Sequence, residues 1–317
     1  GGKRMTETTA FVFPGQGSQA VGMGQDLAQT YPAARDTFAE ADDVLGFALS
    51  TLCFAGPEEV LNDTLNTQPA LFAASMAAWR ALHSAGWSAP AAFAAGHSMG
   101  EYTALAAAGA LTFADGLRLV RERGRLMKEA GERSPGGMAA VLQVEAGVLD
   151  DICRRASQET GQVVQVANYN SPGQIVISGD NQALDVAMQL AQAAGARRVV
   201  RLAVSIAAHS PLMAVIADEF RRAVEAIPIQ PPQTPVVANV TARPLNSADD
   251  IRHEMVAQLT SSVRWIESVE TMAAQGVTRF VEIGPKDVLT GLVRRIDKNV
   301  SALACGTAQA VQALASS

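Results

Sequence analysis

The sequence predicts an α/β protein in which helices cover a mostly parallel sheet and a smaller βαββαβ unit is inserted into the chain. Three observations predict this. Short apolar runs rich in β-type residues feed into helical stretches along most of the chain. Between residues 134 and 205 the order becomes strand, helix, strand, strand, helix, strand, a ferredoxin-like unit complete in itself. The pentapeptide Gly96-His97-Ser98-Met99-Gly100 lies between an apolar run, Ala91 to Ala95, and a stretch that reads as helix. Gly-x-Ser-x-Gly at a strand-to-helix junction is the pattern of a nucleophile elbow.

Taken in order, Thr8 to Phe13 reads as a strand running into a glycine-rich loop, Pro14-Gly15-Gln16-Gly17-Ser18-Gln19. A helix is expected over Ala33 to Leu45. Pro57 suits the first turn of another, with Glu58 and Glu59 at its positive end. Pro69 to Ser84 reads as a helix with an apolar face through Leu71, Phe72, Met76, Trp79 and Leu82. The elbow strand follows, then helices over Gly100 to Ala108 and Phe113 to Ala130.

Ser134-Pro135-Gly136-Gly137 reads as a linker into the inserted unit. That unit is predicted as strand 138–144, helix 147–159 and strand 163–168, then a turn at Asn170 to Gly173. Strand 174–178, helix 181–194 and strand 198–204 complete it. Beyond it, a helix is expected over Pro211 to Ala226. Pro231, Pro232 and Pro235 form a stiff connector. Strand 236–240, helices 251–259 and 263–275, strand 279–283, helix 288–296, strand 302–305 and helix 308–314 complete the chain. The expected division is a catalytic core over 5–133 and 206–317, with residues 134–205 as the insert.

Bulk composition narrows the function. The 317 residues are 48% hydrophobic and 18% charged, as in ordinary globular proteins. A net charge of −6 gives no sign of nucleic-acid binding. Cys53, Cys153 and Cys305 are too few and too scattered for a disulfide framework or a zinc site, so a reduced, cytoplasmic setting is the default. No apolar run reaches membrane-spanning length. Gly1-Gly2-Lys3-Arg4 reads as a cloning remnant before a natural start at Met5, with no signal peptide.

The elbow would hold the Ser98 hydroxyl at a helix N-terminus, where unpaired N–H groups and partial positive charge meet a developing oxyanion. Ser98 is therefore the candidate nucleophile for acyl transfer. It needs a base at neutral pH, and the chain has four histidines. His83 and His253 fall on predicted helices and read as packing or surface residues. The His97 side chain is expected to point away from that of Ser98. His209 follows a predicted strand and precedes a helix, a placement that suits a catalytic group. Asp180 and Asp185 lie between Ser98 and His209 in sequence but inside the insert, so a hydrolase triad fits poorly. A dyad, its imidazole N–H held by a backbone carbonyl or amide, fits better.

Several motifs together resemble the malonyl-CoA:acyl carrier protein transacylases. They are Phe13-Pro14-Gly15-Gln16-Gly17-Ser18-Gln19, Gly96 through Tyr102, Arg123-Gly124, Ala167 through Gln174, Val204-Ser205 through His209-Ser210, and Glu282-Ile283-Gly284-Pro285 with Val288 through Leu292. The resemblance implies an α/β-hydrolase-like core with an inserted ferredoxin-like subdomain. It implies Ser98 as nucleophile, His209 as base, and the backbone N–H groups of Gln16 and Met99 as oxyanion hole. It also implies that the Gln258 carbonyl orients the histidine and that Arg123 clamps the malonyl carboxylate, a task its bidentate fork suits. Asn168 would lie near the acyl site.

The expected reaction is ping-pong malonyl transfer from malonyl-CoA to the phosphopantetheine thiol of acyl carrier protein, for fatty-acid synthesis. It calls for no metal and no bound cofactor. The alternative is a discrete trans-acting acyltransferase of a polyketide synthase, followed by a plain esterase and a non-catalytic carrier-binding module. Met99 is apolar, as malonyl users have it. Two departures from the family stand out. Lys286 and Asp287 follow Gly-Pro where a glycine is usual, and Ile206-Ala207-Ala208 precede His209 where Phe or Ser is common directly before the base. A basic patch for an acidic carrier is expected among Arg197, Arg198, Lys286, Arg294, Arg295 and Lys298.

Overall fold

Phe11 and Phe13 project to one side of the first strand and Ala10 and Val12 to the other, and both sides are buried. A strand buried on both faces belongs inside a parallel sheet with helices above and below. The computed structural model, which describes residues 7–317, has this arrangement. The reading of Gly1 to Met5 lies outside the described residues.

In chain order the elements begin with β1 (Thr9–Phe13), α1 (Gln25–Thr30), α2 (Pro32–Leu45), α3 (Leu49–Ala55), α4 (Glu58–Leu61), α5 (Thr64–Ser84), β2 (Phe93–Gly96), α6 (Gly100–Ala107) and α7 (Phe113–Arg133). Next come β3 (Gly136–Leu142), α8 (Ala146–Thr160), β4 (Val164–Ser171), β5 (Gln174–Asp180), α9 (Asn181–Ala193) and β6 (Arg198–Arg201). A 3-10 segment (Pro211–Ile216) leads to α10 (Ala217–Glu225), β7 (Val236–Val237), β8 (Pro244–Leu245), α11 (Ala248–Ala257) and α12 (Trp265–Ala274). The chain closes with β9 (Arg279–Ile283), α13 (Val288–Ile296), β10 (Ser301–Cys305) and α14 (Ala308–Ala315).

The main sheet has the order β10-β9-β1-β2-β7-β8 and is parallel except for the β7–β8 edge. One face packs on a large core that includes Phe38, Phe72, Tyr102 and Leu117. The other packs on Val237, Trp265, Met272, Phe280 and Leu292. The second sheet, β4-β5-β3-β6, is wholly antiparallel. It buries Val141, Val166 and Ile177 beneath α8 and α9, against Leu149, Ile152 and Leu184. The protein is thus an α/β fold with a mixed main sheet and a separate antiparallel sheet.

The two sheets meet beside the future site. β4, the edge strand of its sheet, stays paired with β5 and also contacts a core segment: Tyr169 N–H donates to the Val263 carbonyl (3.0 Å) and Val263 N–H to that of Ala167 (2.8 Å). Ser262 Oγ donates to the Val166 carbonyl at 2.6 Å.

Several expectations are corrected. The predicted linker is partly strand, since Gly136 and Gly137 pair with Asp180 and Gly179. Their lack of side chains lets the backbones approach closely. α5 starts at Thr64, not Pro69. The Leu65 carbonyl, denied its usual helical donor by Pro69, accepts instead from Arg121 Nη1 at 3.3 Å. Asp63 caps the helix by accepting from Leu65 N–H at 3.1 Å. The helix expected over 211–226 begins as 3-10. The strand expected over 236–240 pairs only through Val237: the Ala238 N–H turns to the Arg243 carbonyl, and those of Asn239 and Val240 go to buried carboxylates described below. The short helices α1 and α3, with few buried positions each, carry too little periodicity to be read from sequence.

Candidate active site

β1 and β2 are parallel neighbours in register, Phe13 opposite Gly96. Their carboxyl ends therefore deliver two loops side by side, the place where open α/β sheets hold ligands. One is the Gln16 loop and the other is the elbow. A Cβ on Gly96 would overlap the Gly100 carbonyl, and one on Gly100 would overlap that of Phe13. The motif needs glycine at both positions because strand, turn and helix pass that close.

Ser98 is held with φ 53°, in the left-handed region. Such backbone costs about 1–2 kcal/mol in a non-glycine residue. Three hydrogen bonds hold it. Ser98 N–H donates to Asn239 Oδ1 (2.8 Å), Asn239 Nδ2 donates to the Gly96 carbonyl (2.6 Å), and Gln258 Nε2 donates to the Ser98 carbonyl (3.0 Å).

His209 is also left-handed, at φ 57°. It does not stand at the end of a strand as expected: β6 stops at Arg201, and the chain leaves that sheet to carry His209 across to the elbow. Ser98 Oγ donates to His209 Nε2 at 2.8 Å. His209 Nδ1 faces two carbonyls, Gln258 at 2.8 Å and Ser261 at 3.1 Å. Carbonyls only accept, so the ring proton sits on Nδ1 and Nε2 keeps its lone pair for the serine. Gln165 Nε2, from β4, donates to the His209 carbonyl (2.7 Å) and to that of Thr260 (3.0 Å). Burial, then the charge of Arg123, push the His209 imidazole down to about 3. It is neutral at physiological pH.

Arg123, from α7, is 1% exposed. Its hydrogen-bond partners are all neutral: Gln68 Oε1 (2.8 Å), Gln258 Oε1 (2.9 Å) and Ser98 Oγ (3.2 Å). Its Nε has no hydrogen-bond partner among the described residues. A buried guanidinium without a paired anion is expensive, and an incoming carboxylate would supply the anion. Gln68 continues the network, its Nε2 donating to Thr64 Oγ1 (3.0 Å), which donates to Gln16 Oε1 (3.1 Å).

Ser98, His209, Arg123, Met99, Gln16 and Asn168 all line one cavity of about 520 Å³, walled elsewhere by Met127, Met138, Val176, Leu202 and Ile206. Gln258 stands behind it and is fully buried. The backbone N–H groups of Gln16 and Met99 meet no protein acceptor among the described residues. His97 turns from the serine and bonds Asn170 Oδ1 through Nε2 at 2.7 Å. His83 and His253 are exposed and lie outside the cavity.

Sequence reasoning missed Asn239, Gln165 and Gln68. For Asn239 a signal existed: an amide within the apolar run Val236-Val237-Ala238-Asn239-Val240 asks for a buried partner. The late loop carries the Lys departure in a left-handed conformation, φ 61°, with Lys286 Nζ donating to the Gly17 carbonyl at 3.2 Å.

Comparison with known proteins follows the same lines. Residues 10–311 match the acyl transferase domain family. The malonyl CoA-acyl carrier protein transacylase of Escherichia coli (strain K12) is 46% identical over 304 residues, 96% of this chain and 97% of the relative. An acyl carrier protein S-malonyltransferase structure from Vibrio cholerae superposes with a TM-score of 0.94 at 44% identity, covering 97% of this chain and 99% of that one. A malonyl-transacylase in complex with a type II PKS acyl-carrier protein has a TM-score of 0.92 at 46% identity, covering 96% and 97%. With a hydroxyl, a neutral imidazole and an unpaired guanidinium in one cavity, and with relatives this similar over nearly its whole length, the chain belongs to the malonyl CoA-acyl carrier protein transacylases of the acyl transferase domain family.

Proposed function

We propose that the protein transfers a malonyl group from malonyl-CoA to the phosphopantetheine thiol of an acyl carrier protein in fatty-acid synthesis, through an ester on Ser98. The observation that carries this reading is Arg123, a buried cation with only neutral partners, 3.2 Å from the Ser98 hydroxyl. An acyl chain that ends in a carboxylate completes that site, and an acetyl group leaves it unpaired.

In the first half-reaction the Ser98 proton passes to His209 Nε2 while Oγ attacks the thioester carbonyl. The oxyanion forms between the N–H groups of Gln16 and Met99, where loss of one donor typically costs about 3 kcal/mol. Collapse breaks the C–S bond, and the departing coenzyme A thiolate takes the proton back from the imidazolium. In the second half-reaction the carrier thiol gives its proton to His209 and its sulfur attacks the ester. Ser98 Oγ then leaves with that proton. The Gln258 and Ser261 carbonyls hold the imidazolium, in place of an acid. Asn168, which lines the same cavity, would stand beside the acyl group.

The exchange of one thioester for another needs no metal or bound cofactor, and malonyl-CoA and the carrier are substrates. We read the core, 5–133 and 206–317, as α/β-hydrolase-like and the insert, 134–205, as ferredoxin-like. The support for the latter is the strand order β6-β3-β5-β4 with both helices on one face. No helix among the described residues is long and apolar enough to cross a membrane. A cytoplasmic setting is proposed on the three free, buried cysteines. The likeness to a malonyl-transacylase bound to a type II PKS acyl-carrier protein supports a second reading, a discrete acyltransferase serving a polyketide synthase.

The test is Arg123→Ala, read as the ratio of kcat/KM for malonyl-CoA to that for acetyl-CoA. The ratio should collapse, because the malonate carboxylate would be buried without a partner while acetyl has no carboxylate to strand. An unchanged ratio would remove Arg123 as the clamp.

A further inference from the structure

Behind the elbow, away from the cavity, two acids are buried side by side. Glu101 sits in the first turn of α6 and is 0% exposed; Glu254 reaches in from α11 and is 3% exposed. Glu101 Oε2 accepts from the Asn239 backbone N–H at 2.6 Å, and Glu254 Oε1 accepts from the Val240 N–H at 2.9 Å. The two carboxyls are interacting neighbours, and Glu101 Oε1, buried, has no hydrogen-bond donor among the described residues. Two carboxylates cannot face each other in a dry interior unless a proton lies between them.

These are the two amides that leave the sheet after β7. The Asn239 side chain then reaches the elbow from beneath, binding the Ser98 N–H and the Gly96 carbonyl. It also accepts from Gln258 Nε2 at 3.3 Å, and Gln258 in turn holds both His209 and Arg123. A shift of Asn239 would therefore move nucleophile, base and clamp together.

We propose that Glu101 and Glu254 are positioning residues: a carboxyl pair sharing one proton that fixes Asn239 and, through it, the left-handed Ser98 and the Gln258 amide. This rests on the Ser98 reading of the site, which the Ser98→Ala mass measurement below tests separately. Burial, and then the charge of Glu254, hold the Glu101 carboxyl well above the usual range, and Glu254 is raised by burial as well. The groups that face the pair are Arg123 from α7, which favours its negative charge, and Tyr102 on α6. On the outer side Glu254 borders a surface pocket with Arg243, Asp250, His253, Arg264 and Glu267. One shared proton leaves the pair with one net negative charge.

A glutamine at either position tests the pairing. Its amide N–H replaces the shared proton, and the remaining carboxylate keeps the single charge. Glu254→Gln and Glu101→Gln should each keep kcat within about threefold of wild type at pH 7, and Glu254→Ala should lower it about a hundredfold with little change in KM, as misplacement by about an ångström does. The wild-type kcat should fall on the alkaline side as the shared proton is lost, and that limb should be missing in Glu254→Gln. Infrared spectra of the deuterated protein should show the carbonyl stretch of a protonated carboxylic acid, absent from both glutamine variants. If Glu254→Ala does not fold, the glutamine variants and the spectrum still decide. Coincident pH profiles for wild type and Glu254→Gln, or no such band in wild type, would overturn the proposal.

Discussion

Ser98 and His209 both sit in left-handed backbone, and side-chain amides hold both. Asn239 and Gln258 grip the Ser98 peptide and Gln165 the His209 carbonyl. Where a triad would use an acid, His209 has carbonyls, which fix its tautomer without adding charge. Burial first, and then the charge of Arg123, hold the imidazole well below its ordinary value, while the two carbonyls act in the opposite sense. The linkage has a definite sign. Between the ordinary histidine value and about 3 the unfolded chain binds a proton that the fold refuses, so stability falls as pH falls through that window. For catalysis, free wild-type enzyme should lose no activity to protonation of its base between pH 7.5 and 5. Removing the Arg123 cation should raise the histidine. In Arg123→Met the acid limb of kcat/KM for acetyl-CoA should therefore lie at higher pH than in wild type. Limbs at the same pH would mean that Arg123 does not act on the base.

At the scale of elements, the site is assembled by β1, β2 and α6, with α7 supplying Arg123, the C-terminal cap of α11 supplying Gln258 and the second sheet supplying a brace. Gln165 on β4 is that brace, joining the His209 and Thr260 carbonyls. Gln165→Leu should lower kcat about tenfold in both half-reactions, since it leaves two carbonyls without a buried donor, and should cost about 1–3 kcal/mol of stability. Measuring acylation by stopped flow and unfolding in urea would check both. Unaltered acylation would limit Gln165 to packing. The elbow was legible in the sequence because its glycines, serine and flanking periods are local. So were β1, α2, α6, α7 and β9, whose apolar patterns run over whole elements. Gln165 and Asn239 were not, because each acts across a long stretch of chain on a backbone whose strain no local pattern reports. His209 was found for a partly mistaken reason: it precedes helical turns, but it lies in a turn well past the end of β6 and no strand ends there.

At the scale of the molecule, the chain couples a mixed sheet that presents the Ser98 elbow to an antiparallel sheet that closes one side of the cavity. α13 bridges them, with Arg295 Nη1 donating to Gln174 Oε1 of β5 at 2.6 Å. The exposed Arg294, Arg295 and Lys298 stand on this bridge, and Arg197 and Arg198 are exposed where β6 begins. An acidic carrier would be steered there. Replacing Arg294 and Arg295 with glutamine should raise the KM for the carrier at low salt and leave that for malonyl-CoA alone. An unchanged carrier KM would clear the patch of this role. The most direct test of the whole reading is the mass of the intact protein after mixing with malonyl-CoA. Wild type should gain one malonyl group and lose it when carrier bearing phosphopantetheine is added, the carrier gaining the same mass, while Ser98→Ala should gain nothing. A malonyl adduct on Ser98→Ala, or a wild-type adduct that the carrier does not collect, would contradict transfer through Ser98.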